Sequence, residues 1–268
     1  MANPYLELTE EFNRGRLRVL LSSGQAVVVH RLAVMSKDGD WIVREDDEAV
    51  GHVLEVLSRH GAAHYRFGAP LDLRWLAGGW SSHLEFRREA LRIRTDFVTR
   101  PPRIAPEQLA RMWEEAEAKG NDVVGPEPLA AMKLTNREKD YAVVGELARL
   151  MTDPRSQLLY SRSSRDLIEL ASEHPAALAE AIRQRPLLAH IAEGREVLEE
   201  ALDRERRVLM RINEELLARY QAAAEAWAKL WPDVQRQVEG LPLLEAHRLL
   251  TSRAEGILPF EPARGGES

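Results

Sequence analysis

The spacing of apolar positions changes partway along the chain. Between residues 17 and 103, short β-branched or aromatic runs alternate with Gly and Pro: AVVVHRLAV, DWIV, AHYRF, LDLRWL, HLEF and LRIRTDFV. Such punctuation predicts strands. Among them EAVGHVLEVLSRHG (48–61) differs: Val50, Val53, Leu54 and Leu57 share one helical face, and Gly61 is a natural stop. TRPPRIAP (99–106) ends the sheet region, because paired prolines cannot continue a central strand. From about residue 106 the pattern is helical. APEQLARMWEEAEAKG opens on Pro106 and closes at Gly120. PEPLAAMKLTNREKDYAVVGELARLM (126–151) follows, and SSRDLIELASEHP and HPAALAEAIRQRP are short helices parted by prolines. Residues 195–231 then carry a heptad-like stripe of Leu198, Leu202, Leu209, Ile212, Leu216, Ala223, Trp227 and Leu230. Glu205 interrupts the stripe and Pro232 ends it. This is a helix of roughly ten turns, about 55 Å at 1.5 Å per residue. A helix so long either braces the rest of its chain or pairs with a second copy. The tail ARGGES is expected to fray.

The expected fold is therefore α+β or α/β over residues 1–105, followed by a helical extension over 106–151 and an all-α C-terminal region over 152–268 containing one long helix. With 268 residues, 44% of them hydrophobic, the chain can bury a sizeable core. Net charge is −6 and neither half is a basic nucleic-acid module. Cysteine is absent, which excludes disulfides, thiolate metal sites and a cysteine nucleophile. The N-terminal MANPYLELTEEFNRG has no charged start followed by an apolar run, and no stretch approaches the roughly 18–20 apolar residues that span a bilayer. A cytoplasmic protein without a membrane segment is the expectation. GxGxxG, GxxxxGK[ST] and HExxH are all missing.

Candidate chemistry begins at SKDGDWIV (36–43). Asp38-Gly39 is a strong hairpin pair. Alternatively it opens a strand, on which Asp38 and Asp40, two apart, face the same way and share a divalent cation. Magnesium takes hard oxygen ligands and often bridges carboxylates to a substrate's phosphates. In ALRIRTDFV (90–98), Leu91, Ile93 and Phe97 form one face, and Arg92, Arg94 and Asp96 the other. Six arginines between 87 and 103 stand against Glu89 and Asp96, a local charge of +4. Such arginines either hold phosphate oxygens or coat a solvated edge strand. Upstream, Ser22-Ser23-Gly24 is a small-residue turn through which backbone N–H groups can approach a phosphate. QAVVVHRLAV fits strand by propensity and helix by the spacing of Val28, Leu32 and Met35. In AGGWSSH (77–83), Trp80 is expected to plug the core rather than stack on a base. On one helix face Lys133 and Arg137 would be i and i+4, with Asp140 three residues further on.

The order Gly24, Ala26, Ser36-x-Asp38-x-Asp40 resembles the signature of the nucleotidyltransferase-fold superfamily, nearest to the minimal nucleotidyltransferases of the abortive-infection AbiEii toxin group and their uncharacterised relatives. The fourteen-residue step from Gly24 to Asp38 fits. The resemblance spans about residues 17–150. It implies an α+β fold, a nucleotidyltransferase-like mixed sheet with flanking helices, in which QAVVVHRLAV is a short helix plus connection. It makes Asp96 the third acid, and LAAMKLTNREKDYAVVGELARL the helical block that carries Lys133, Arg137 and Asp140. The turn reads SSG and not Gly-Ser or Gly-Gly, and the insert 68–86 has no counterpart in the core motif.

The expectation that follows is a Mg²⁺-dependent transfer of a nucleotide from an NTP to an acceptor, either RNA, protein or small molecule, in a toxin–antitoxin setting. Asp38, Asp40 and Asp96 would be catalytic and bind the metal; Ser23, Gly24, Arg94, Lys133, Arg137 and Asp140 would bind the nucleotide. The rival is an inactive scaffold of the same fold, self-associating as a homodimer through the helix at 195–231. A third reading is nucleic-acid binding by the Arg87–Arg103 patch, with steep salt dependence.

Overall fold

In a computed structural model of the chain, residues 3–61, 63–135 and 137–262 are described; the tail ARGGES lies outside them. Helix α1 (Pro4–Phe12) starts on Asn3, whose side chain accepts from the Tyr5 N–H. Then come β1 (Val19–Ser22), α2 (Ser23–Val29), β2 (Asp38–Val43), α3 (Asp47–Ser58), β3 (His64–Tyr65), α4 (Leu73–Leu76), β4 (Ser82–Arg88), β5 (Leu91–Val98) and α5 (Pro106–Lys119). The architecture is α+β, as the punctuation of the first hundred residues implies. LDLRWL departs from its strand-like reading. Asp72 caps the short helix α4 by accepting from the Arg74 N–H, a local bond that competes with extension.

The sheet has five strands in the order β1-β2-β5-β4-β3. Strands β2 and β5 pair parallel, and β1 with β2, β4 with β5 and β3 with β4 pair antiparallel. Alternation along each strand separates an apolar from a polar face. On the apolar face Trp41 stacks on Phe97, with centroids 5.4 Å apart, and Phe12 of α1 meets both rings edge-on. Such pairs add about 0.5–1.5 kcal/mol each beyond burial. The indole N–H of Trp41 donates to Thr9 Oγ1 at 2.9 Å, so no polar atom is orphaned there. Trp80 is buried, donates to the Pro259 carbonyl and packs edge-on against Tyr220. It is a core residue, as expected.

The rest is helical: α6 (Pro126–Met132), α7 (Glu138–Leu150), α8 (Pro154–Tyr160), α9 (Ser164–Glu173), α10 (Pro175–Gln184), a 3₁₀ helix (Pro186–Glu193), α11 (Arg195–Ala223), α12 (Glu225–Val238) and α13 (Leu243–Ala254). Two expectations need correction. The helix expected over 195–231 is α11 and α12, divided at Ala224, and Pro232 lies inside α12. Pro232 is exposed, and so is Ala228 four residues earlier, so the carbonyl deprived of its donor faces solvent. The stripe is also displaced: Leu198, Ala201 and Asn213 are the buried residues of α11, while Ile212 is 54% exposed.

By contact the chain forms two compact units, Met1–Val29, Ala33–Val124 and Ala218–Ser268 in the first, His30–Leu32 and Gly125–Leu217 in the second. Along the chain the packing divides at 124 and 217. The first unit's core joins both sides of that division, from Leu8, Val53 and Trp75 to Trp227, Val234 and Leu250. The second unit's core gathers Leu158, Leu167, Ala181, Leu188 and Leu198. Glu205, the break in the stripe, receives Arg162 and Arg185, the latter through bonds of 2.9 and 2.7 Å.

Candidate active site

Asp38 and Asp40 open β2; they do not cap a hairpin. Ser22↔Asp40 pairs β2 with β1, and Asp40↔Asp96 and Asp38↔Arg94 pair it with β5. Paired residues on neighbouring strands project to the same face, so Asp38, Asp40, Arg94 and Asp96 share the polar one. QAVVVHRLAV supplies α2 and the connection after it, as the resemblance implied. Its Gly24 is tied to the acid strand: a Cβ there would stand 2.2 Å from Ser36 Oγ. Gln25 Nε2 donates to the Ser36 carbonyl at 3.0 Å, and the Tyr5 hydroxyl to that of Lys37 at 2.6 Å. Gly39 is equally constrained, since a Cβ would meet the Trp41 and Tyr5 rings at 2.4 and 2.5 Å. Ser23 has φ +48°, a left-handed residue where β1 turns into α2. The turn and the acids are thus held against each other by packing.

The polar face continues across β4. His83↔Asp96 and Glu85↔Arg94 are register pairs. Asp96 Oδ1 accepts from Arg66 and, at 2.8 Å, from His83 Nδ1. With that proton on Nδ1, Nε2 accepts from the Ser81 hydroxyl at 3.0 Å. Glu85 gathers the neighbouring basic side chains: Arg92 at 2.6 Å, His64 at 3.3 Å, Arg94 at 3.8 Å and Arg66 at 4.0 Å. Burial would raise the Glu85 pKa, but its hydrogen bonds from Arg92 and the other positive charges outweigh that and hold it below the usual range. Much of the +4 read from sequence is therefore balanced internally. Arg100 is paired with Glu45, and Arg88 with Glu7.

Satisfaction is incomplete in one quarter of this face. Asp38 Oδ1 is buried and makes no hydrogen bond, though Arg94 Nη1 stands 3.5 Å away. Arg94 Nε and Arg66 Nε are likewise buried without a hydrogen bond. Carboxylate oxygens are suitable donors for magnesium, which commonly takes one or two carboxylates and completes its shell with substrate phosphates. Asp38 and Asp40 fit that pattern. Among the described residues no group of three or more His, Asp or Glu is placed to hold a metal ion.

Lys133, Arg137 and Asp140 come together, but not on one helix face. Lys133 is the C-cap of α6 and Arg137 the N-cap of α7, so the single helix expected over 126–151 is two. Thr135 Oγ1 accepts from the Arg137 N–H at 3.1 Å and donates to Asp140 at 2.6 Å, holding the turn open. Asp140 is 3% exposed and receives Lys133 at 3.6 Å and Arg137 at 2.8 Å. Arg137 keeps 54% of its side chain exposed.

Ser81, His83, Arg66 and Glu85 were not singled out from sequence. The usable signal was WSSHLEF: once HLEF is a strand, Ser81, His83 and Glu85 alternate onto one face.

No family model and no curated protein matches the chain. Two solved structures are similar to it: a candidate nucleotidyltransferase from Helicobacter pylori, at 14% identity and TM-score 0.38, covering 81% of this chain and 99% of that one, and JHP933 from Helicobacter pylori, at 14% and 0.37, covering 81% and 98%. At these values the likeness concerns the fold alone and assigns no residue. Among the described residues no helix is long and apolar enough to cross a membrane.

Proposed function

We propose that the polar sheet face is the active site of a nucleotidyltransferase, of the AbiEii-like kind the sequence resembles, moving a nucleotide from an NTP to an acceptor hydroxyl. The observation that carries this reading is the register: Asp40 opposite Asp96 on parallel strands, beside a buried Asp38 oxygen that makes no hydrogen bond. Asp38 and Asp40 would hold magnesium, which supplies charge neutralisation at the phosphates when bound. The Ser23-Gly24 turn lies beside these acids and offers backbone N–H groups to the same phosphates. Arg94 adds a guanidinium from the neighbouring strand. Asp96 serves the acceptor side, because His83 and Arg66 already orient it.

The test is isothermal titration with each NTP, with and without Mg²⁺. Magnesium-dependent binding should weaken at least tenfold in the Asp38→Ala/Asp40→Ala variant. No binding by the native chain, or equal binding by the variant, removes the reading.

A scaffold role is the second reading, favoured by one observation: Val208 and Ile212, one turn apart on α11, are exposed apolar residues. It expects a homodimer in light scattering that Ile212→Glu dissociates, and no response to magnesium.

A further inference from the structure

The polar face holds a constellation that nucleotide binding does not use. Ser81 Oγ, His83 Nε2, His83 Nδ1 and Asp96 Oδ1 form an unbroken line of hydrogen bonds, 3.0 Å and 2.8 Å long. A hydroxyl so aligned on an imidazole, itself oriented by a carboxylate, is the arrangement that activates a serine for attack. The alignment is built by the fold. The Arg66 N–H donates to the His83 carbonyl at 2.9 Å and the Ala69 N–H to that of Ser81 at 3.2 Å, which pins both residues to the segment that follows β3. Gly68 leaves room for the ring, since a Cβ there would come within 2.6 Å of His83 Cδ2. Arg66 adds a second donor, a guanidinium, to Asp96 and keeps its charge in place.

Position gives this serine its electrophile. Asp40, Asp96 and His83 are register partners on three consecutive strands. Strands lie about 4.8 Å apart, so Asp40 and His83 are separated by roughly 10 Å along the same face. An NTP whose β- and γ-phosphates sit at Asp38 and Asp40 and whose α-phosphate lies across Asp96 would present its α-phosphorus to this serine.

We propose that Ser81 is itself a nucleotide acceptor: its hydroxyl, aligned through His83 on Asp96, takes the nucleotidyl group from an NTP held at Asp38 and Asp40. The proposal rests on the nucleotidyl-transfer reading and names its acceptor. In the step, Ser81 Oγ forms a bond to the α-phosphorus and its proton passes to His83 Nε2. The bond between the α-phosphorus and the bridging oxygen breaks, and pyrophosphate leaves with the electron pair. The product is a nucleoside monophosphate ester on Ser81.

Intact-mass spectrometry of the full chain after incubation with Mg²⁺ and each NTP reads the outcome, with the site mapped by peptide fragmentation. One nucleoside monophosphate per chain should appear on Ser81. Ser81→Ala and His83→Asn should each lower it at least 100-fold, and Ser82→Ala, the neighbour on the opposite face, should leave it unchanged. A second readout needs neither metal nor nucleotide. In EDTA, a fluorophosphonate should label Ser81 in the native chain and fail to label it in His83→Asn, with circular dichroism confirming that the variant is folded. NTP binding without an adduct on Ser81 overturns this proposal and leaves the parent reading standing. Absent NTP binding overturns both. An adduct that survives Asp38→Ala/Asp40→Ala, or a Ser81 that ignores fluorophosphonate, overturns the proposal as well.

Discussion

Carboxylates in the two units keep different company. In the second unit, Asp140 and Glu205 are surrounded: one takes Lys133, Arg137 and Thr135, the other Arg162 and Arg185, with bonds to both oxygens of Glu205. On the sheet face of the first, Asp38 is 40% exposed, with a buried oxygen that makes no hydrogen bond and a guanidinium at 3.5 Å. An acid whose bonds are complete is part of the architecture, because removing it strands buried cations. An acid with capacity left over contributes little to the fold and is free to meet a ligand. Residue type does not tell the two apart; the count of partners does.

The largest effect should come from breaking the complete kind. Glu205→Gln leaves Arg162 and Arg185 facing each other. Arg162 is already pushed down to about 10, first by burial and then by the charge of Arg185. Urea unfolding should show a loss of about 3–5 kcal/mol; a loss under about 1 kcal/mol would place Glu205 with the exposed acids. Next in size is Asp140→Asn, which strands the buried Lys133 and should lower stability by about 2 kcal/mol in the same assay. Unchanged stability there would make Asp140 a functional acid after all.

Acid titration sharpens the contrast more gently. Burial opposes ionisation of Glu205, but Arg185 and Arg162 outweigh it and hold its pKa below the usual range; Glu85 behaves likewise through Arg92. Each therefore binds protons more weakly folded than unfolded. Their stabilisation is complete above the ordinary glutamate value of about 4.3 and is lost as pH falls below it through the depressed native values. A melting temperature followed from pH 6 to pH 3 should fall in that lower window in the native chain, and less in Glu205→Gln. The smallest effect on stability belongs to Asp38→Asn, which should shift unfolding by less than about 0.5 kcal/mol. A loss above about 2 kcal/mol would erase the distinction drawn here.

Much of this was readable in the chain. Strict alternation in LRIRTDFV placed Asp96 and Arg94 on the face opposite Ile93 and Phe97, and the structure keeps that division. DGDWIV was ambiguous because Asp-Gly suits a turn as well as a strand start. What decides it is Gly39 packed against the rings of Trp41 and Tyr5, the latter far away in sequence. Lys133 and Arg137 looked like helix neighbours because propensity changes little across KLTNRE. The Thr135 hydroxyl, bonding to backbone and to Asp140, ends one helix and begins another. Glu205 read as a flaw in an apolar stripe, since nothing local announces that two arginines some 20 and 43 residues upstream converge on it.

Strand β5 lies between β2 and β4, with Asp40 of one neighbour and His83 of the other in register with Asp96. During synthesis, Asp38 and Asp40 leave the ribosome long before their parallel partner exists. Nothing resembling the polar face can form until residue 98 has emerged and slotted into the gap. A nascent or truncated chain stopping short of that point would carry the acids and lack the place where they meet.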